Sequence, residues 1–164
     1  IKINPDIKVI DSPYDGKEWV AMPAIKLDVA LLHADRADVR GVCQIKGPDM
    51  HMDEQMARAA EKTFVTVEEI VETDYFAQGD ESRYVFWERS LTTGVVEAAG
   101  GAHPTSCAPA YGFDVAHTKE YNASAKDGGF AAYADKYING KTEDEYQALV
   151  GGIDAIKAIP LPVY

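Results

Sequence analysis

Cysteine is nearly absent from this 164-residue chain, which carries only two. Cys43 and Cys107 stand far apart, in neither a Cys-x-x-Cys nor a Cys/His ligand spacing. They are expected to be reduced, structural thiols in a cytoplasmic compartment, and a disulfide-stapled miniature is excluded. Positive charge is also scarce. Sixteen Lys and Arg face 27 Asp and Glu, for a formal net charge of −11. Phosphate backbones are held mainly by clustered Lys and Arg, so this balance argues against a general nucleic-acid role. No run of about 18 apolar residues occurs, which removes a membrane-spanning helix. Gly-x-Gly-x-x-Gly, Walker and Gly-x-Ser-x-Gly patterns are missing, and with them support for a nucleotide cradle or a serine nucleophile. The histidines show no His-x-x-x-His or Glu-x-x-His arrangement, so no metal site is expected. No repeat or low-complexity tract divides the chain. It opens on Ile1-Lys2-Ile3 without Met or a signal-like segment, and the expectation is a fragment of a longer protein.

What is present is a core. Apolar residues make up 46% of the chain, enough for one ordinary domain or part of a larger one. Ile7 to Ile10 and Trp19 to Met22 read as short strands about a Ser12-Pro13-Tyr14-Asp15-Gly16 turn. Val29 to Leu32 is a continuous apolar run of the kind buried on both faces of a parallel sheet. Gly41 to Ile45 reads as a returning strand. A helix follows, with Asp49 as its cap and Met52, Met56, Ala59 and Ala60 at helical spacing. Thr63 to Val67 is β-branched and aromatic, hence a strand, and the strand, helix, strand order is the grammar of an α/β protein. Residues 73 to 83 read as a surface loop, and Val85-Phe86-Trp87 and Val95-Val96 as further strands. From about residue 112 the pattern is helical. Phe130, Tyr133, Ala134 and Tyr137 form an aromatic core stripe before Gly140, and Thr142 with Glu145 makes a capping box.

Three places bear chemistry. His33 to Gly41 is a polar cluster after an apolar run, where open α/β sheets bind ligands; Arg36 or Arg40 would hold a phosphate or carboxylate, or Asp35, Arg36, Asp38 and Arg40 form a local ion-pair network. Glu97 to Thr105 contains Gly100-Gly101, whose consecutive amides suit an anion or a developing oxyanion, with His103 as the best single imidazole; the alternative is a tight turn with a hydrogen-bonded histidine. Glu68-Glu69 invites acid/base chemistry, but neighbours on a strand point to opposite faces and cannot converge on one atom.

The run Ala21 to Ala34, continuing through Ala37-Asp38 and Gly41, resembles the α subunit of the family I coenzyme A transferases of the glutaconate type. So do Met56 to Lys62 with Val65 to Val71, Val95 to Ala98 through Gly101-Ala102-His103-Pro104, and Tyr111-Gly112-Phe113-Asp114. The similarity runs from about Ser12 to Val150. It departs from the family's α subunits in having no N-terminal glycine-rich motif and Val42 where Asn is usual in an Ala-Asp-x-x-Gly-Asn pattern; the Glu-Asn-Gly or similar motif of the family's partner subunit is also absent.

The resemblance implies an α/β fold, an open, largely parallel sheet with flanking helices, incomplete here, with residues 1–164 forming the C-terminal part of an α subunit. It implies a two-subunit enzyme that moves coenzyme A from an acyl-CoA to a carboxylate acceptor. The nucleophilic glutamate is then on the β subunit, with no catalytic residue on this chain. Coenzyme A is a substrate, with no permanently bound cofactor. The expected partners are a missing N-terminal half and the β subunit. Arg36, Asp38, Gly41, Gln44, Gly100, Gly101 and His103 are the candidate substrate-binding or interface residues. The same scaffold serves CoA-thioester hydrolases that open rings in steroid degradation. A purely structural assembly unit is the non-enzymatic alternative.

Overall fold

A computed structural model describes residues 3–48, 51–126 and 128–162. Two long strands organise it. β3 (Leu27–Asp38) and β5 (Ala60–Val71) are twelve residues each and pair in parallel, Leu31 opposite Phe64 and His33 opposite Thr66. β7 (Gly94–Glu97) extends the parallel set on the far side of β5. On the other side, β4 (Cys43–Gln44) and β6 (Val85–Trp87) add antiparallel strands, giving the order β6-β4-β3-β5-β7. The expected open, largely parallel sheet is therefore mixed, with an antiparallel edge. The crossover from β3 to β5 carries α1 (Asp53–Ala59), which runs directly into the strand.

One face of the sheet is packed. Ala30, Leu32 and Ala34 of β3 meet Val65 and Val67 of β5, Ala57 of α1, and the indole of Trp87, which is 1% exposed. Small residues on β3 let the helix approach, and Ala57 is the residue that α1 buries. The methionine stripe read from the sequence holds only in part: Met56 and Ala60 pack against the core, but Met52 is exposed and Ala60 already belongs to β5. Asp49, read as the cap, lies outside the described residues. The Trp87 indole N–H donates to Thr92 Oγ1 at 3.2 Å, and Thr92 donates to the Gly41 carbonyl at 2.8 Å. Gly41 has φ of 88°, and a Cβ there would stand 2.8 Å from Thr92 Cβ, so only glycine fits this turn.

The other face is open where the strands begin. Val29, Leu31, Phe64 and Val96 are exposed, Leu31 at 75%. The Val29 to Leu32 run is thus not buried on both faces: Ala30 and Leu32 are buried, and their neighbours are not. Toward the strands' ends the same face is covered by the segment after β7. The short strands β1 (Lys8–Asp11) and β2 (Glu18–Ala21) form a separate antiparallel ribbon, closed by a turn in which Ser12 N–H donates to the Lys17 carbonyl at 2.8 Å. The segment 73–83, expected as loop, holds two turns of 3₁₀ helix, Thr73–Ala77 and the start of Glu81–Tyr84.

Four short helices follow: α2 (Val115–Ser124), α3 (Phe130–Tyr137), α4 (Glu143–Leu149) and α5 (Ile153–Lys157). Asp114 caps α2 by accepting from His117 N–H at 2.8 Å, and Thr142 with Glu145 completes the capping box of α4. Of the aromatic stripe, Ala134 and Tyr137 are buried and Phe130 is half exposed. Ile156 of α5 packs with Cys107 and Tyr111 in a second, smaller core. None of the helices among the described residues is long and apolar enough to cross a membrane.

Trp87→Ala removes the largest fully buried side chain. It is expected to lower unfolding free energy by about 3–5 kcal/mol, read as a lower urea midpoint at constant slope. An unchanged midpoint contradicts the packing just described.

Candidate functional site

Near the ends of β3, β5 and β7 the sheet meets the loop from Ala98 to Tyr111, and one carboxylate joins them. Glu68 projects from β5, its side chain 9% exposed. It accepts from His33 Nε2 at 2.8 Å, from the Tyr111 hydroxyl at 2.8 Å and from Gly100 N–H at 2.9 Å. A carboxylate only accepts, which assigns the Nε2 proton of His33; its Nδ1 lies 2.8 Å from Thr66 Oγ1. Tyr111 in turn accepts from Ala102 N–H at 3.0 Å. Burial by itself would push the Glu68 carboxyl up, but the bonds from His33, Gly100 and Tyr111 outweigh it and hold it below the ordinary glutamate value. Burial raises the carboxyl of neighbouring Asp35, opposed by the Lys46 N–H that it accepts at 2.7 Å. The Cys107 thiol, 4.0 Å from Asp35, is pushed up by burial and by the two carboxylates, so it remains a protonated thiol.

A cavity of about 520 Å³ opens beside this network, lined by Leu31 to Asp35 of β3, by Ile45, Gly47, Pro48, His51, Asp53 and Met56, and by Ala102 and Thr105 to Ala108. Its size and its mixture of apolar walls with a few polar groups suit a small organic ligand. On the far side of Asp35 a second hollow holds Arg36, Glu68, Glu69 and Lys157.

The residues singled out by sequence fall into distinct settings. Arg36 lies on β3 rather than in a loop, because the strand continues to Asp38; its guanidinium pairs with Glu69 at 2.8 Å and covers the Tyr75 ring. Asp38 accepts from the backbone N–H of Arg40 and of Val42, both at 2.9 Å, and its other oxygen is buried without a partner. Asp35 bonds the Lys46 backbone and Arg36 pairs across strands, so these side chains do not form the local ion-pair network that the sequence left open. Gly41 makes the tight turn. Gln44 is fully buried and donates to the Glu81 carbonyl and carboxylate.

The glycine loop does not form the anion cradle that its sequence suggested. Gly100 N–H donates to Glu68, Gly101 N–H to the Ala98 carbonyl at 2.9 Å, Ala102 N–H to Tyr111, and His103 N–H to the Gly100 carbonyl at 3.0 Å. All four amides are spent within the chain. His103 is not in the Glu68 network either. Its side chain, 1% exposed, is held between Tyr146 and Asp114 in a separate cluster.

Sequence reasoning placed Glu68 and Glu69 on opposite faces, and they are: Glu69 pairs with Arg36 while Glu68 points into the site. That geometry rules out the pair as an acid/base couple but not Glu68 alone, whose partners His33, Gly100 and Tyr111 lie 32 to 43 positions away and leave no local signal. The available signal was a glutamate pair amid β-branched strand residues, one member of which must face inward.

A family model described as Coenzyme A transferase matches residues 6–80. The crystal structure of glutaconate coenzyme A-transferase from Acidaminococcus fermentans superposes with a TM-score of 0.84 at 30% identity, over 94% of this chain and 48% of that one. Over most of its length the chain is similar to members of the coenzyme A transferase family. It is 36% identical over 151 residues to the cholesterol ring-cleaving hydrolase IpdA subunit of Rhodococcus jostii, covering 88% of this chain and 51% of the relative. It is 34% identical over 151 residues to the α subunit of 3-oxoadipate CoA-transferase from Pseudomonas knackmussii, covering 91% and 52%. The chain thus spans about half the length of the curated relatives it matches. The 3-oxoadipate and glutaconate CoA-transferase relatives are named as A subunits, the kind of subunit the sequence resembles.

Because Glu68 is held below its ordinary value, the folded state binds that proton less tightly than the unfolded chain. The stability it contributes is present above the ordinary glutamate range and is lost as pH falls through its folded pKa. Glu68→Gln is expected to cost about 1–3 kcal/mol at neutral pH and to flatten the acid limb of stability against pH. An acid limb as steep as wild type would remove Glu68 from that role.

Proposed function

We propose that this chain forms part of the α subunit of a two-subunit coenzyme A transferase, which moves coenzyme A from an acyl-CoA to a carboxylate acceptor. Coenzyme A enters as a substrate. The observation that carries the reading is the cavity between β3 and the Thr105 to Ala108 segment, on a fold shared with glutaconate coenzyme A-transferase. The nucleophilic glutamate belongs to the β subunit. The state of the acids on this chain supports that assignment: Glu68 is engaged by three donors, and Asp35 is buried and bonded to Lys46 N–H. A carboxylate so occupied has little freedom to attack a thioester.

In this reading the chain supplies walls and positioning. Glu68 holds the Ala98 to Tyr111 segment at a fixed height over the strands, and that segment forms one side of the cavity. Arg36 contributes positive charge for a phosphate or carboxylate of the substrate, at the expense of its pairing with Glu69; Gly41 and Gln44 keep the adjacent turn in place. The exposed apolar residues Val29, Leu31, Phe64 and Val96 are covered by the remainder of a full-length α subunit or by the β subunit. Two free buried thiols agree with a reducing, cytoplasmic setting. Apart from its partners the chain is inactive.

A second reading has support in the 36% identity to a ring-cleaving hydrolase subunit and in His33, which lines the cavity with Glu68 behind it. The assembled enzyme would then add water to a CoA thioester substrate and cleave a carbon-carbon bond, with no transfer of coenzyme A.

The two readings separate when the chain, assembled with its β subunit, is incubated with acyl-CoA and a carboxylate acceptor. Transfer predicts a glutamyl-CoA thioester on the β chain by mass spectrometry, none on this chain, and coenzyme A recovered on the acceptor. Solvent oxygen in a ring-opened product, with no thioester adduct, overturns it in favour of hydrolysis. Arg36→Ala is expected to raise KM for acyl-CoA about tenfold, the equivalent of one charge-assisted contact; an unchanged KM removes Arg36 from substrate binding.

A further inference from the structure

We propose that His103, Asp114 and His117 form a binding site for a single Zn²⁺ or similar divalent transition metal, one that pins the C-terminal helices to the loop following β7. One ring nitrogen from each histidine and one carboxylate oxygen of Asp114 all lie within 4.8 Å of one another. Two imidazoles and a carboxylate are a donor set suited to zinc. His103 Nε2 and Asp114 Oδ2 are already 3.1 Å apart, close to the spacing of adjacent ligands around a tetrahedral ion. Metal bonds near 2.1 Å set neighbouring ligands roughly 3.4 Å apart, so a pair as wide as 4.8 Å would close by roughly 1.4 Å.

The outer contacts favour this arrangement over a chance meeting of polar groups. Metal-binding histidines nearly always give their second nitrogen to an oxygen partner that fixes the ring. Here His103 Nδ1 lies 2.6 Å from the Tyr146 hydroxyl, and His117 Nε2 lies 2.7 Å from the Tyr133 hydroxyl. The second oxygen of Asp114 accepts from His117 N–H at 2.8 Å. With His117 binding through Nδ1, every proposed ligand is oriented by a partner that the metal does not need. Both imidazoles are buried, with ring centroids 5.2 Å apart, and Tyr137 packs on His117 at 4.7 Å. The Asp114 side chain remains 24% exposed, which leaves a route for an ion and room for a water as fourth ligand. An overall charge of −11 favours cation uptake.

The sequence pointed away from metal because His103 stands eleven residues before Asp114. Only the fold of the 103–114 loop brings the imidazole back to the N-terminus of α2. The bound ion would join three pieces of chain: the loop through His103, and the cap and first turn of α2. Through the two tyrosines it would reach α3 and α4.

The test is calorimetric titration of Zn²⁺ into the full chain after chelator treatment, with Co²⁺ absorption as a second measure. One equivalent is expected to bind with Kd below about 1 µM, to raise the melting temperature, and to give Co²⁺ the intense visible bands of a four-coordinate site. Asp114→Asn and His117→Ala are expected to abolish these signals. Tyr133→Phe, which keeps both the ring and the three ligands, is expected to weaken binding about 10–100-fold and guards against loss through misfolding. The proposal is overturned if wild type takes up no metal, or if Tyr133→Phe and Asp114→Asn bind as wild type does. It is equally overturned if uptake vanishes in His33→Ala and persists in His117→Ala, which would locate the ion at the other ligand-rich cluster, His33, Glu68 and Cys107.

Discussion

The buried carboxylate of Glu68 is the point at which the sheet and the C-terminal segment are joined. A glutamate in that position can remain ionised only if donors replace the water it has lost, and they come from three parts of the chain: His33 from β3, Gly100 from the loop after β7, and Tyr111 from beyond it. Each donor is thereby placed. The loop cannot rise from the sheet without uncovering a charge, and Tyr111 cannot turn without releasing Ala102. The cavity beside β3 inherits its shape from this arrangement, since Ala102 and Thr105 to Ala108 form the wall opposite His33 to Asp35.

The two faces of the sheet follow different rules. One is filled by Ala30, Leu32, Ala34, Val65 and Val67 against Ala57 and Trp87, an ordinary close-packed core. The other is divided along its length. Its upper part carries the polar set His33, Asp35, Thr66 and Glu68 beneath the loop, while its lower part presents Val29, Leu31, Phe64 and Val96 to solvent. An alternating strand with apolar residues on both faces expects cover on both, and this chain supplies it on only one and a half.

Polar chemistry is concentrated in two clusters that share the loop from Ala98 to Asp114 without sharing side chains. The Glu68 cluster lies on the sheet and the His103 cluster lies among the helices. The loop's backbone donors are consumed in building it, so its role is to position other groups rather than to grip an anion. Gly100 has φ of 81°, a conformation that a side chain would strain, and a Cβ there would crowd Ile153 and Ile156.

What the sequence determined by itself is local. The β-branched run at Thr63 to Val67, the Thr142 and Glu145 capping box, and the opposite orientation of Glu68 and Glu69 each depend on neighbours within a few residues, and each is found where expected. So was the α/β class, because strand, helix, strand order is written along the chain, and the long family-like segments carried the kinship to coenzyme A transferases. Tertiary structure decided the rest. Residues 33 to 38 look like a loop because Asp and Arg are poor strand formers, but pairing with β5 on one side and β4 on the other extends β3 through them. The Gly100-Gly101 amides look available until Glu68 and Tyr111 arrive from other strands and turns. His103, Asp114 and His117 look unrelated until the intervening loop folds back. In each case the deciding partner is distant in sequence, and a distant partner leaves no period or motif to be read.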